Sequence, residues 1–337
     1  MRVAINGLGR IGRCLVRGIF ESDEYKNIEL VAVNGPAPIE THIHLLKYDS
    51  IHGRFSKKVE ASKDNNLLIN NKEVKLFHER NPEDLPWKDL DIDVVLESTG
   101  IFTNKEGASK HLKSGAKKVL ISAPAKSDDI KTIVYGVNDE LINASDDIIS
   151  VGSCTTNCLA PIAKILDATI GIEKGFMTTI HAYTNDQNIV DNSHKDLRRA
   201  RACAMSMIPT STGAAKAVGL VLPNLKGKLD GGAVRVPTAN VSMVDLNFIS
   251  KKETSAKEVN EILEKAAIND PKIGRILEIV KEKLVSIDFN HSFYSSNFDS
   301  TQTKVIAGNM VKIGAWYDNE WGFSLRMLDV ANCLKKA

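Results

Sequence analysis

Two side chains in this 337-residue chain have the type and setting for covalent chemistry. The stretch "GSCTTNCLAPIAKIL" puts Cys154 at the opening of a predicted helix, after small Gly152-Ser153 and before two hydroxyl residues. Free amide N–H groups and partial positive charge at a helix start favour a thiolate, so the position predicts a lowered thiol pKa. Cys158 follows one turn later. Without further cysteines at ligand spacing the pair offers no metal set, and both can be small helix residues. The stretch "TTIHAYTNDQ" ends a predicted strand on His181, before a polar loop from which an imidazole can reach a cleft. A cysteine nucleophile with a histidine base elsewhere in the chain suits covalent catalysis, provided folding brings them together. Such a histidine is expected to be half-protonated near neutral pH.

Two further stretches suit anions. "PTSTGAAKAVG" combines hydroxyls and glycine at a helix opening around Thr212 and Gly213, the chemistry of a backbone anion pocket. "AVRVPTANVS" sets Arg235 inside an apolar strand, where a charge is costly unless it meets an anion or a carboxylate. Together they suggest a substrate with more than one phosphate-like group. Thr212 as a plain cap and Arg235 paired to an acid stay open as structural readings.

These residues need a scaffold, and the first half of the chain supplies its pattern. "VAINGLGRIG" places Gly7, Gly9 and Gly12 in G-x-G-x-x-G spacing between a strand and a helix. The glycines permit a tight turn, backbone approach to a pyrophosphate and close helix–strand contact, with the helix N-terminus facing the anion. Strands are predicted at 2–6, 28–34, 93–97, 118–122 and 133–136, and helices at 10–21, 38–46, 105–113 and before the catalytic segment. That alternation predicts a Rossmann-type, doubly wound α/β sheet. "NNLLINNKEVKLF" reads as an inserted hairpin turning at Asn70-Asn71.

Beyond about residue 150 the strands lengthen and alternate (177–182, 233–236, 241–249, 304–308, 311–317), predicting an α+β domain on a mixed or antiparallel sheet. An amphipathic helix at 254–268 covers it, and a last helix runs over about 320–335. The expected division is a dinucleotide-binding domain of 1–153 plus 319–337 and a catalytic domain of 154–318.

Forty-four basic against 42 acidic side chains give +2, so no global field points to nucleic acid or a membrane. Aromatics are only 6%, which speaks against RNA binding as a primary role. The strand-like opening and the lack of an apolar run of about 18 residues lead us to expect neither a leader nor a spanning helix, and with five cysteines in no disulfide spacing a cytoplasmic location is expected.

"INGLGRIG", "HLLKYDSIHGRF", "ESTGIFT", "SAPAK", "SCTTNCLAP", "DLRRARA", "STGAAKAVG", "RVPTANVS" and "WYDNEWG" occur in one order over residues 3–325. In this the chain resembles the phosphorylating glyceraldehyde-3-phosphate dehydrogenases of bacterial and organellar type. The resemblance implies Cys154 as nucleophile and His181 as base. Attacking phosphate would meet Ser153, Thr155, Thr212 and Gly213. The substrate's own phosphate would meet Thr184, Asp186 and Arg235, with Arg201 close to both. Gly7, Gly9, Arg10, Ile11, Gly12, Asn34, Gly35, Arg80, Ser98, Thr99, Gly100 and Ser122 would line the dinucleotide site. Asn319 would hold the nicotinamide carboxamide. The loop 183–205 would lie at a subunit interface, making a homotetramer, with Ser193 near a neighbour's adenosine. Val151-Gly152 replaces the family's usual Asn-Ala, and Phe323 replaces a Tyr, removing one hydroxyl from the nicotinamide side. The nearest rival, erythrose-4-phosphate dehydrogenase, shares the CTTNC segment but typically lacks the Thr-Gly pair at the phosphate pocket.

The resemblance leaves the dinucleotide open, NAD or NADP. NAD-preferring members usually carry Asp where Gly35 stands, and that carboxylate repels a 2′-phosphate. They often have Leu-Pro where this chain reads Asn192-Ser193, and a serine there suits a 2′-phosphate. Acceptance of NADP, with or without NAD, is therefore expected; in the alternative, Asn34 holds the ribose of NAD. Gly35→Asp is expected to move preference toward NAD.

Overall fold

The computed structural model describes residues 1–334, which divide into two compact units. The first comprises Met1–Ile133, Asp139–Gly152 and the chain from Ser324; the second comprises Val134–Asn138 and Ser153–Phe323.

The first unit is built on β1 (Arg2–Asn6), which leads through the glycine turn into α1 (Arg10–Glu21) and returns at β2 (Glu29–Asn34). Then come α2 (Ile39–Lys47), a small ladder of β3 (Tyr48–Asp49) with β4 (Gly53–Arg54), and the strands β5 (Val59–Ala61), β6 (Leu67–Ile69) and β7 (Lys72–Phe77). β8 (Val94–Glu97), α3 (Lys105–Lys113), β9 (Lys118–Ile121), β10 (Lys131–Thr132) and β11 (Ile148–Ser150) complete the sheet. Its strand order is β10-β11-β9-β8-β1-β2-β7-β6-β5, parallel from β10 to β7, with β6 and β5 added antiparallel. Buried β1, Val3 to Ile5 fully enclosed, is the central strand on which the rest is laid. The hairpin turns where predicted, with Asn70 at φ 49° and Asn71 at φ 64°, the left-handed pair that a tight two-residue turn needs.

Two predictions fail here. Residues 133–136 form no strand, because Val134 and Val137 bury in the second unit's core while Gly136 turns at φ 77°. The helix expected before the catalytic segment is a single 3₁₀ turn, Asp139–Leu141, followed by β11.

The second unit begins with α4 (Cys154–Thr169), β12 (Ile172–Ala182), β13 (Ile208–Ser211), α5 (Ala214–Val221), β14 (Leu229–Val236) and β15 (Ser242–Ser250). It continues through α6 (Ala256–Asn269), α7 (Pro271–Ile276), β16 (Leu277–Val280), β17 (Ser296–Ile306) and β18 (Met310–Tyr317). The sheet order is β13-β14-β12-β15-β18-β17-β16, mixed, with β12–β14 and β16–β17 parallel and the other pairs antiparallel. One face carries α4 to α7 around Cys158, Leu159, Ile162, Leu246 and Phe298. The last helix, α8 (Trp321–Leu334), belongs from Ser324 to the first unit, where the Tyr25 hydroxyl donates to the Leu325 carbonyl at 3.2 Å. No helix among the described residues is long and apolar enough to cross a membrane.

Candidate active site

Ser153 caps α4: its hydroxyl oxygen accepts from the Thr156 backbone N–H at 3.0 Å, which starts the helix on Cys154. In the sheet beneath, β12 and β14 are parallel neighbours, and their register sets His181 beside Arg235. Folding brings Cys154 and His181, 27 residues apart in the chain, to 3.5 Å between Sγ and Nε2. The Ala182 carbonyl accepts from His181 Nδ1 at 2.7 Å and from Arg235 Nη1 at 3.0 Å. With its proton on Nδ1, the ring presents the Nε2 lone pair to the thiol.

Burial, and then the Arg235 guanidinium with Nη1 2.6 Å from Nδ1, lower the His181 pKa to about 3. The half-protonated imidazole expected from sequence is therefore a neutral one. The lowered thiol pKa is reversed too. Burial pushes Cys154 up, and this outweighs Arg235 and the hydrogen bonds from Thr155 that pull it down. A neutral thiol beside a neutral imidazole is the resting pair. The buried Tyr317 hydroxyl ties α4 to β12, bonded to Thr155 Oγ1 at 2.7 Å and Thr179 Oγ1 at 2.9 Å, with its ring edge-on to His181. Cys158, buried and pushed up to about 12, is no nucleophile.

The expected anion residues separate into groups. Arg235 forms no ion pair among the described residues, and its buried Nε has no partner, so the acid-paired reading of this strand arginine is not realised. An unneutralised, half-buried guanidinium fits an anion. Thr184 and Asp186 follow β12, with the Thr184 hydroxyl directed to Gln187. Asp186 pairs with Arg199, which outweighs burial and holds the carboxyl below its usual range.

Arg199, not Arg201, is the basic-loop residue on this side: it also bonds Thr210 Oγ1 at 2.9 Å and bears electrostatically on His181 and Arg235. Arg201 is two-thirds exposed and paired with Asp191 at 2.9 Å. Two positions in "RRAR" separate Arg199 from Arg201, and only the loop's path distinguishes the three arginines. The Thr155 side chain is also withdrawn, 3% exposed and spent on Tyr317. Thr212 accepts from the Ala214 backbone N–H at 3.2 Å, with Gly213 exposed at the α5 cap.

In the first unit the glycine turn meets each demand of a dinucleotide fingerprint. Gly7 turns at φ 99° against Ser98 and Thr99. A Cβ on Gly12 would lie 1.9 Å from the Gly7 carbonyl oxygen, so only glycine lets α1 approach. Gly9 has open space where a Cβ would stand, leaving its backbone free to meet a phosphate. Ser98, at the carboxyl end of β8, holds a buried hydroxyl without a partner among the described residues. Such a turn and an orphaned donor fit a nicotinamide dinucleotide. Ile11 is half-buried in the first turn of α1, while Gly100 at φ 73° and Ser122 follow the ends of β8 and β9.

Three expected cofactor side chains are otherwise engaged. Arg10 pairs with Asp49 through both guanidinium nitrogens, Nη2 at 3.0 Å, and with the His52 and Ile51 amides this outweighs burial and holds that carboxyl well below the usual range. The Thr99 hydroxyl donates to Glu97. The Asn34 amide is used on both sides: Nδ2 donates to Asn6 Oδ1 at 2.7 Å and the Glu79 carbonyl at 2.8 Å, and Oδ1 accepts from Glu79 N at 2.9 Å. Both Nδ2 hydrogens of Asn34 are therefore committed, and only the second lone pair of Oδ1 is left for a ribose hydroxyl. Arg80 and Ser193 are exposed. In the second unit, the Ser242 hydroxyl donates to Asn319 Oδ1 at 2.8 Å, which turns the Asn319 NH₂ away as the donor.

The profile of the glyceraldehyde 3-phosphate dehydrogenase NAD binding domain matches residues 1–105, and that of the C-terminal domain matches 153–319. The chain is 54% identical to glyceraldehyde-3-phosphate dehydrogenase of Xanthobacter flavus, over all of this chain and 99% of that one. It is 56% identical to the Cereibacter sphaeroides enzyme of that name, over 98% of this chain and 97% of that one. With the chloroplastic form A of Zea mays identity is 52%, over 98% of this chain and 82% of that one. The chain belongs to the glyceraldehyde-3-phosphate dehydrogenase family of oxidoreductases.

Proposed function

We propose that the chain catalyses the reversible, phosphorylating oxidation of D-glyceraldehyde 3-phosphate to 1,3-bisphosphoglycerate. The observation that carries the reading is the Cys154–His181 pair at 3.5 Å beside an arginine with no carboxylate partner. Cys154 Sγ attacks the aldehyde carbon while His181 Nε2 takes the thiol proton. The imidazolium stands beside Arg235 and is unfavourable, so the proton passes on to the forming alkoxide, giving a neutral hemithioacetal. The bound nicotinamide dinucleotide supplies the hydride acceptor, with Asn319 holding its carboxamide. His181 Nε2 takes the hydroxyl proton as the carbonyl re-forms, leaving a thioester on Cys154; inorganic phosphate displaces the sulfur to give the acyl phosphate, and the released thiolate recovers its proton from His181.

Arg235, Thr184, Asp186 and Arg199 serve the substrate's phosphate; Ser153, Thr212 and Gly213 serve the attacking one. The domains proposed for these tasks are 1–153 with 319–337 for the dinucleotide and 154–318 for catalysis.

NADP is accepted, preferentially or alongside NAD. The missing carboxylate at Gly35 and the exposed Ser193 support this. Measured kcat/KM with each cofactor and saturating phosphate tests both claims. A hundredfold preference for NAD would sink the second, and faster turnover of erythrose 4-phosphate the first. Exposed Ile189, Val190, Leu197, Met205 and Met207 around the basic loop support a homotetramer, which sedimentation would reduce to a monomer if the reading is wrong.

A further inference from the structure

The carboxyl ends of β2 and β7 are fastened together where a doubly wound sheet holds the adenosine ribose. Gly35 N donates to the Phe77 carbonyl at 3.0 Å, and His78 Nδ1 donates to the Gly35 carbonyl at 2.9 Å. The Asn34 amide clasps the Glu79 backbone in both directions. His42, 4% exposed on α2, lies against Gly35 and brings Nε2 to 3.4 Å from the same carbonyl.

The result is a rim with a fixed imidazole. Because the Gly35 carbonyl can only accept, it holds the His78 proton on Nδ1. His78 is exposed, and Nε2 has no partner among the described residues. Arg80 is exposed two residues on, without an ion pair among those residues. One carboxylate, Glu79, stands between them, and the Asp that would repel a 2′-phosphate is replaced by Gly35.

We propose that His78 is a specificity-determining residue: its imidazolium form, donating from Nδ1 to the Gly35 carbonyl and from Nε2 outward, recognises with Arg80 the 2′-phosphate of the adenosine ribose. This rests on the proposed acceptance of NADP and names the side chain that carries it. It also bears on the expectation for Gly35→Asp. A Cβ at residue 35 would lie 2.8 Å from His42 Cε1, so that substitution displaces His42 unless it is combined with His42→Ala.

The test is calorimetric binding of adenosine 2′,5′-bisphosphate and of 5′-AMP to the full-length protein, which needs no turnover. His78→Asn keeps a short amide able to donate to the Gly35 carbonyl and deletes Nε2. It is expected to lower the preference for the 2′-phosphate about tenfold, with 5′-AMP affinity and Tm little changed. His78→Gln, which keeps a donor at the reach of Nε2, is expected to retain part of the preference. Equal losses for both nucleotides, or no loss in His78→Asn, overturn the assignment. Wild-type protein binding 5′-AMP more tightly than the bisphosphate overturns NADP acceptance. If His78→Asn still weakens only the bisphosphate in that case, the assignment of His78 stands.

Discussion

At the carboxyl end of the first sheet, the buried side chains of Trp87, His111, Glu97, Asn6 and Asn34 answer one another. Trp87 Nε1 donates to His111 Nδ1 at 3.0 Å, so His111 carries its proton on Nε2 and gives it to Glu97 Oε2 at 3.1 Å. Asn6 Nδ2 donates to the same oxygen at 2.6 Å, and Asn34 bonds to Asn6. At the corresponding ends of β12 and β14 in the second unit, polar groups are left in want. Arg235 forms no ion pair among the described residues, and His181 is kept neutral by burial and that cation. A closed network rigidifies a scaffold, whereas an uncompensated charge held by the fold waits for a ligand. Mutations in the two regions should therefore separate stability from chemistry.

The largest effects belong to the open region. Cys154→Ser should lower kcat by about 10⁴-fold or more while dinucleotide affinity, read by fluorescence quenching, persists. Turnover within tenfold of wild type would remove the cysteine from its role. His181→Asn should lower kcat by about 10²- to 10⁴-fold.

His181 also carries a pH signature. Unfolded, the imidazole protonates near pH 6.5, but in the fold only near pH 3, so the unfolded chain binds the extra proton in between. Stability is thus undiminished by this group above about pH 6.5 and falls as the pH drops toward 3. Urea unfolding at pH 7 and pH 5 should show a smaller loss in His181→Asn; an equal loss would assign the effect to other groups.

Arg235→Leu should raise KM for the phosphorylated substrate about 10- to 100-fold, the worth of a charge-assisted contact. Because the Arg235 charge pulls the Cys154 pKa down, the variant should also be alkylated more slowly by iodoacetamide at pH 7. Faster alkylation would show that the cation does not assist the thiolate. The smallest effect on chemistry belongs to the closed region. His111→Leu strands the Trp87 N–H and removes one of the two donors to Glu97 Oε2, so unfolding free energy should fall by about 1–3 kcal/mol. Its kcat should stay within about twofold; a large loss of kcat without a loss of stability would break the contrast.

What the sequence by itself determined is local. Gly7, Gly9 and Gly12 prescribe a turn that only glycine can make, Ser153 starts the helix on Cys154, and alternating strand and helix patterns imply the doubly wound sheet. Each is encoded in a few neighbouring residues, where backbone geometry and capping act. Tertiary structure decided which side chains meet. Parallel pairing of β12 with β14 set His181 beside Arg235, and the path of the basic loop chose Arg199 over Arg201. The clasp between β2 and β7 committed both Asn34 Nδ2 hydrogens and left His78 Nε2 without a partner among the described residues. It also decided the protonation of the catalytic pair. Helix position predicted a thiolate and side-chain type a half-charged imidazole, but desolvation depends on every atom packed around a group, and burial moved both to neutral.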